Sequence, residues 1–599
     1  MVEDIYRIGI AIKDVKNDTD TDIEEDIMPD LISKKIDGVI LINLSFTNHD
    51  CKYNGLTQAD YGINNNIAIL LKKKSPNGPN YGPSAQITDI GKTLSIKIIG
   101  WFKDMLNRTQ ELTLGKEDIV YLASILDTIQ GNLQKIIDDY NTLKLRKGSY
   151  ILSVLINGKH PVNNSVIFNC YAKSIRQQYK GSNVGVCSLC NRKNVEIISK
   201  SNVFKFYTHD KPGFISGGFM ESMSWRNYPV CKECEIILSR GKKYIWSKLN
   251  FPYVDMRYYL IPSTTSSYAA LSEIVFLLER LTHKAFSFKK AYIDGQKTVE
   301  MDIWDVLEDE QDINSFRLLF VQSEQAGSVE RILLEIKDVY PSRIKRLHRA
   351  KEEVDNSLGE KISGFNFSYL RYFLSKSDKI MERKDLDKIF LDITRSIFLE
   401  EKVDLKILLP HFMRNIRQEF ESDETTSRYM NTLLRAWACT MFLIKAGCIK
   451  TERGITLNTI FDPLFKKYGA SLDSEIKCAL FLTGALVRKV MAIQAYEISS
   501  TPFRNRLRGL KLRPEQVKGL ITEAVQKMEE YEMYSKASNQ IVETIVQLML
   551  KTPNNWQLSV DEINFYIVAG MTLMKEIYAL CGETQEELKS EDDLLVEKV

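Results

Sequence analysis

The apolar positions in the first part of the chain change their period several times. GVILINLSFT (38–47) and NIAILL (66–71) are short, nearly unbroken apolar runs, as expected of strands buried on both faces. KTLSIKIIGWFKDML (92–106) and DIVYLASILDTIQGNLQKIIDDYNTL (118–143) repeat apolar residues every three or four positions and predict helices. SYILSVLING (149–158) predicts a strand ending in a turn. RLLFVQSE (317–324) and RILLEIKDVY (331–340) predict a strand pair around an Ala-Gly-Ser turn. From about residue 341 to the C-terminus the pattern is helical, interrupted by short polar breaks. No fixed-period repeat is present.

Two stretches have no period at all. KKKSPNGPNYGPSAQ (72–86) is an irregular loop, because Pro76, Pro79 and Pro83 each remove a backbone donor. KFYTHDKPGFISGGF (205–219) carries four glycines or prolines and is also a loop. The predicted fold class is α+β: a mixed α/β N-terminal and middle region with a four-cysteine, zinc-finger-like insertion, then an all-α C-terminal bundle. The expected parts are an α/β domain at 1–160, the cysteine region at 161–260, mixed structure at 261–360, helices at 361–470 and a helical bundle at 471–599.

Composition narrows the function classes. The chain has 599 residues, enough for roughly three to five domains of about 100–200 residues. The formal net charge is +3, so contact with nucleic acid must come from local patches. The N-terminus lacks the apolar core of a secretory signal, and no run of about 18 apolar residues predicts a membrane span. A cytoplasmic protein with reduced thiols is expected.

Four of the ten cysteines are paired in sequence: Cys187 with Cys190 in CSLC, and Cys231 with Cys234 in CKEC. Two C-x-x-C knuckles supply the four soft ligands that a tetrahedral ion such as Zn2+ takes, and the 40 residues between them form an insertion. Such a shell is closed, hence structural. Catalytic patterns are absent. The six histidines are isolated, and His209-Asp210 lacks the further ligands that a metal-dependent nuclease needs. Gly91-Lys92-Thr93 resembles the end of a phosphate-binding loop, but Gln86 stands where the first glycine is required. No enzyme is expected.

Three basic clusters remain. Lys72, Lys73 and Lys74 open the first loop, where Asn77, Asn80 and Tyr81 add amides and a phenol suited to phosphates and base edges. Arg343, Arg346 and Arg349 follow a helical face in PSRIKRLHRAK (341–351). Arg504, Arg506, Arg508, Lys511 and Arg513 crowd RNRLRGLKLRPEQVK (504–518), preceded by Arg488 and Lys489 on a helix. The two later clusters are read as basic helices that hold a phosphate backbone, with salt-sensitive, sequence-independent contacts.

FKFYTHDKPGF (204–214), WRNYPVCKEC (225–234) and LSRGKKY (238–244) together resemble the central signature of the large subunit of type I-B CRISPR Cascade. PNYGPSAQIT with IKIIGWF (79–102), SVLINGKHP (153–161), YPSRIKRLHRA (340–350) and the stretch 481–512 extend the likeness along nearly the whole chain. The resemblance implies a non-catalytic subunit of an RNA-guided DNA surveillance complex. It implies recognition of a short protospacer-adjacent motif on duplex DNA, help in opening the duplex and stabilising the R-loop, and recruitment of a nuclease-helicase. The implied partners are guide RNA, target double-stranded DNA, the backbone and 5′-handle-binding subunits, and a small subunit that the C-terminal bundle resembles. That small subunit can arise from an internal start, for which Met491 is a candidate. Under this reading the 72–86 loop becomes the motif reader and 488–518 the single-strand holder. The alternatives are a metal-dependent nuclease or a stand-alone zinc-containing nucleic-acid binder.

Overall fold

The computed structural model describes residues 1–15, 36–47, 50–61, 68–74, 77–177, 181–198, 201, 203–204, 206, 220–280, 315–324, 329–362, 364–374, 384–422, 428–451, 457–468, 471–553 and 555–583. The chain divides into two compact units, one of Val2–Tyr244 with Ser323–Arg331, the other of Ile245–Gln322 with Ile332–Val599. The fold class is the expected one, with α/β structure first, the four cysteines followed by a second sheet in the middle, and helices from residue 341.

The first unit opens with helix α1 (Val2–Val15). Its sheet contains β1 (Gly38–Thr47), β2 (Asp50–Ala59), the short β3 (Ala85–Gln86) and β4 (Tyr150–Ile156), in the order β2-β1-β4-β3. The two central strands, β1 and β4, run parallel, and β2 and β3 pair antiparallel on either side. This arrangement explains the unbroken apolar runs. Ile40, Ile42, Leu152 and Val154 face a helical layer, while Val39, Leu41 and Ile151 face a smaller cluster on the opposite side. The helical layer is a continuous run over 90–107, ending in α2 (Gly100–Asn107), followed by α3 (Lys116–Gly131), α4 (Leu133–Thr142) and α5 (Ser165–Gln177). The single helix expected over 118–143 is two, separated at Asn132.

Residues 68–71 of NIAILL do not form the strand that the run's composition suggests, and 66 and 67 lie outside the described residues. Ile69, Leu70 and Leu71 are buried against the back of the sheet, but Leu70 sits at φ 53° in a turn. The edge beside β4 is occupied instead by Ala85 and Gln86, which return from the proline-rich loop. Among the described residues the unit goes on to the hairpin β5 (Gly181–Gly185) and β6 (Val195–Ile198) and then helix α6 (Lys232–Lys248).

Helices α1 and α6 cross at glycines. A Cβ on Gly9 would stand 2.1 Å from the carbonyl oxygen of Ile237, and one on Gly241 would stand 2.0 Å from that of Ile5. Only glycine lets two helix backbones approach so closely, and the approach brings Cα–H groups against carbonyl oxygens.

The second unit carries a sheet of β7 (Asn250–Tyr253), β8 (Met256–Ser263), β9 (Ser315–Glu324) and β10 (Val329–Val339), in the order β10-β9-β8-β7. The expected strand pair at 317–340 is therefore present. Helix α7 (Tyr268–Arg280) follows β8. Then come α8 (Pro341–Leu358), α9 (Phe367–Phe373), α10 (Lys384–Leu399), α11 (Leu405–Ser422), α12 (Arg428–Lys445) and α13 (Asp462–Tyr468). The bundle ends with α14 (Glu475–Ile498), α15 (Pro514–Glu530), α16 (Lys536–Lys551), α17 (Val560–Thr572) and α18 (Met574–Leu580). Almost every residue of α14 from Ile476 to Gln494 is buried, so this mostly apolar helix is covered on all sides as the axis of the bundle.

Helix α14 meets α17 by the same device as α1 and α6. A Cβ on Gly484 would lie 1.9 Å from the Ile567 carbonyl oxygen, and one on Gly570 would lie 1.6 Å from that of Phe481. Alanine gains about 1 kcal/mol in helix propensity over glycine, but here it forces two buried helices apart. Overpacking of this kind costs about 1–3 kcal/mol or more. Gly484→Ala and Gly570→Ala are each expected to lower the melting temperature of the chain, as read by circular dichroism. Unchanged melting in both variants would refute the crossing.

Candidate metal centre and nucleic-acid interface

The four paired cysteines converge in the first unit, with their sulfurs all within 4.8 Å of one another. Cys187 to Cys190 form a tight turn beyond β5. The Cys187 N–H donates to Arg192 O, and Asn191 N–H donates back to Cys187 O at 2.9 Å. Asn191 and Asn194 both take φ +56°, a conformation asparagine tolerates better than most residues. Cys231 bridges to Ile197 next to β6 and immediately precedes α6, and Cys234 lies in the first turn of that helix. The second knuckle is thus a helix N-terminus, which favours thiolate.

The surroundings also suit sulfur anions. Arg192 Nε donates to Cys190 Sγ at 3.3 Å, and its Nη2 lies 3.7 Å from Cys231 Sγ. The backbone N–H of Cys231 points at Cys187 Sγ over 3.4 Å, and the Tyr6 hydroxyl is 3.3 Å from Cys234 Sγ. Cys231 is pulled down to about 5, first by its hydrogen bond with Cys234, while Cys234 is pushed up by the same contact. A tetrahedron with 2.3 Å metal–sulfur bonds has edges of about 3.8 Å. The Cys190–Cys231 sulfur separation is 3.9 Å. The donor set therefore fits one tetrahedral ion with no position left for water or substrate. Tyr6, Trp225 and Tyr228 pack around it.

Phe204 and Phe206 stack at 5.0 Å at the start of the signature loop. His209 and Asp210 lie outside the described residues.

The 72–86 loop is closed on itself. Tyr81 N–H donates to Lys72 O at 2.9 Å, and Trp101 Nε1 donates to Tyr81 O at 2.7 Å. Asn80 is buried, with Nδ2 bonded to Ser84 O at 2.7 Å, and Tyr81 is half-buried. Both hold the loop's shape. Lys74 pairs with Asp104 at 3.3 Å and sits 5.7 Å above the Tyr81 ring. Lys73, Lys74 and Asn77 are exposed and Lys72 partly so. Of the six residues expected to touch DNA here, the three lysines and Asn77 are at least partly exposed, while Asn80 is buried and Tyr81 half-buried in the loop's own scaffold.

The basic helices divide differently from expectation. Arg343 is buried: its Nε donates to Ile397 O at 3.0 Å and its Nη1 to Ala446 O at 2.6 Å. It ties α8 to the ends of α10 and α12 and offers nothing to a phosphate. Arg346 is exposed but pairs with Glu400, and Arg349 is exposed without a side-chain partner among the described residues. Arg488 and Lys489 are buried in α14, and Lys489 pairs with Glu583 at 3.2 Å beside Tyr578. These two are interior cations rather than part of a surface.

The 504–513 stretch is not a regular helix. Pro502–Leu507 is a short 3-10 helix, and Arg508 ends it at φ 50°. The Arg504 guanidinium lies 4.1 Å over the Phe420 ring and donates to Phe420 O. Arg506 pairs with Glu523 at 3.0 Å, Lys511 stands 3.9 Å from Glu421, and Arg508 and Arg513 are exposed. Lys511 also lines an open groove of about 530 Å³ with Arg414, Arg417, Gln418, Glu421 and Ser422 of α11. The arginines of α11 were missed in the sequence, although Arg414, Arg417 and Glu421 recur at helical spacing on one polar face.

An N-terminal sheet with a basic loop, a four-thiol centre and a C-terminal helical bundle thus follow one another along the chain. Three domain models of one family match the chain: those of the N-terminal domain (residues 1–173), central domain (184–339) and C-terminal domain (365–585) of CRISPR-associated protein TM1802. The chain belongs to this CRISPR-associated TM1802 family. No curated protein matches it.

Two outcomes are expected. Purified chain should carry about one metal ion, by elemental analysis, and Cys231→Ser should lose it along with thermal stability; wild-type chain without metal would refute the centre. Arg343→Met should lose about 1.5–3 kcal/mol of stability for the hydrogen bonds removed, by denaturant titration, without changing DNA affinity.

Proposed function

We propose that this chain is the non-catalytic large subunit of a type I-B RNA-guided DNA surveillance complex. In this reading it binds the protospacer-adjacent motif on duplex DNA, helps open the target and stabilises the R-loop. It also recruits the nuclease-helicase that degrades the target. The carrying observation is the match of all three TM1802 domain models in order along the chain. The division of labour is physical: guide pairing reads the long sequence, and the protein reads the short motif and the backbone. Its partners are guide RNA, target DNA, the backbone and 5′-handle-binding subunits and a small subunit.

The 72–86 loop supports the motif-reading part. A loop reads a groove well when it is already rigid, because no ordering entropy is lost on binding. This one is pinned from Tyr81 to Trp101 and Lys72, yet keeps Lys73 and Asn77 exposed. The strand-holding part rests on Arg506, Arg508, Lys511 and Arg513. Arg349 is a further exposed cation of α8. The four thiols hold Zn2+ in this reading, as the ion that prefers a closed tetrahedral thiolate shell. It is a staple between the β5–β6 hairpin and α6 and takes no part in chemistry; in this reading the subunit is not an enzyme. A product begun at Met491 would lack residues 475–490 and with them Gly484, so the bundle described above requires the longer chain.

The deciding experiment is co-purification with guide RNA and the other subunits, followed by binding to duplexes with randomised flanks. Lys72→Gln, Lys73→Gln and Lys74→Gln together should weaken duplex binding far more than assembly with guide RNA. Equal losses in both, or none, would sink the loop assignment. Replacing Arg506, Arg508 and Arg513 with Gln should flatten the salt dependence of strand opening by about 0.7 in log–log slope for each single-strand phosphate no longer neutralised. An unchanged slope would point to a protein interface.

A further inference from the structure

The loop's tip is held from outside the loop. Lys97 Nζ donates to Gly78 O at 2.5 Å, four positions before Trp101 anchors Tyr81 O. Both anchors come from one helical run, and that run is irregular where Lys97 sits. Thr93–Ile99 is π-helical, with Gly100 N–H reaching back five residues to Ser95 O. The Ser95 hydroxyl donates to Gly91 O. Such π stretches are rare inside helices and recur at functional sites. Here Leu94, Ile98 and Ile99 are all buried, while Lys97 still reaches the loop.

Lys97 is itself partly buried, and burial holds it below the ordinary lysine range.

We propose that Lys97 is a positioning residue for motif recognition: it fixes the Gly78 carbonyl so that the exposed Asn77 amide meets base edges at a set height. This rests on the reading of 72–86 as the motif loop. Asn77 supplies the donor and acceptor that base readout needs, and Lys97 sets their orientation.

The test uses the assembled guide-RNA complex carrying full-length chain with Lys97→Met or Lys97→Gln, bound to duplexes with randomised flanks at several salt concentrations. Lys97→Met removes both anchor and charge. It should lower affinity for the preferred flank about tenfold and compress the preference among flanks. Lys97→Gln keeps a donor for Gly78 without charge. It should retain both the preference among flanks and the wild-type salt slope. A Lys97→Met complex with wild-type flank preference would overturn the inference, provided that the Lys72–Lys74 substitutions still abolish duplex binding. So would a Lys97→Met chain that loses guide-RNA assembly and thermal stability as much as duplex binding, since its role would then be folding. If the Lys72–Lys74 substitutions leave duplex binding intact, the loop reading itself fails and the inference falls with it.

Discussion

The constraint on which both units rest is the contact of helix backbone with helix backbone at paired glycines. Gly9 and Gly241 join α1 to α6, and Gly484 and Gly570 join α14 to α17. In each pair, each glycine faces a carbonyl of the other helix, so neither tolerates a side chain. The consequences reach the candidate sites. The first crossing carries Tyr6 to within 3.3 Å of Cys234 and completes the shell of apolar and aromatic groups around the thiols. The second sets the axis on which the C-terminal helices pack.

Charge is distributed by the same logic of burial. A buried guanidinium or ammonium must be met by carbonyls or carboxylates. Arg343 is met by two carbonyls, Lys489 by Glu583, and Arg371 by Asp255 and Asp387. These cations tie helix ends together. The ones left at the surface, including Lys73, Arg349, Arg508 and Arg513, are a subset that density along the chain does not identify. A net charge of +3 is therefore compatible with local cationic surfaces.

The motif-loop candidate shows how an irregular segment is made rigid. Its prolines and glycines exclude helix and strand, and its backbone groups are satisfied by side chains: Trp101 for Tyr81 O, Lys97 for Gly78 O and Asn80 for Ser84 O. Ser84 meets Ser153 of β4 at 2.8 Å beneath the loop, joining it to the central sheet. The loop is thus an extension of the sheet and of the helical run over 90–107, which hold its exposed residues in place.

Much was legible without the fold. The central strands of the first sheet, the later strand pair and the helical C-terminal half follow from apolar period, because period is set by local backbone geometry. The thiol centre follows from two C-x-x-C knuckles, because that spacing itself makes a ligand pair. The family follows from residues along nearly the whole chain. Tertiary structure decided what depends on distant partners. Residues 69–71 of NIAILL are buried without being a strand, and Ala85 and Gln86 take the edge beside β4. Arg343, Arg488 and Lys489 are interior and Arg504 lies on a ring, although sequence placed them with the surface cations. The π turn that delivers Lys97, and the pairing of Gly484 with a helix some 80 residues away, leave no local trace. Sequence specifies which backbone shapes and ligands are available; which side chains reach solvent is settled only when the elements pack.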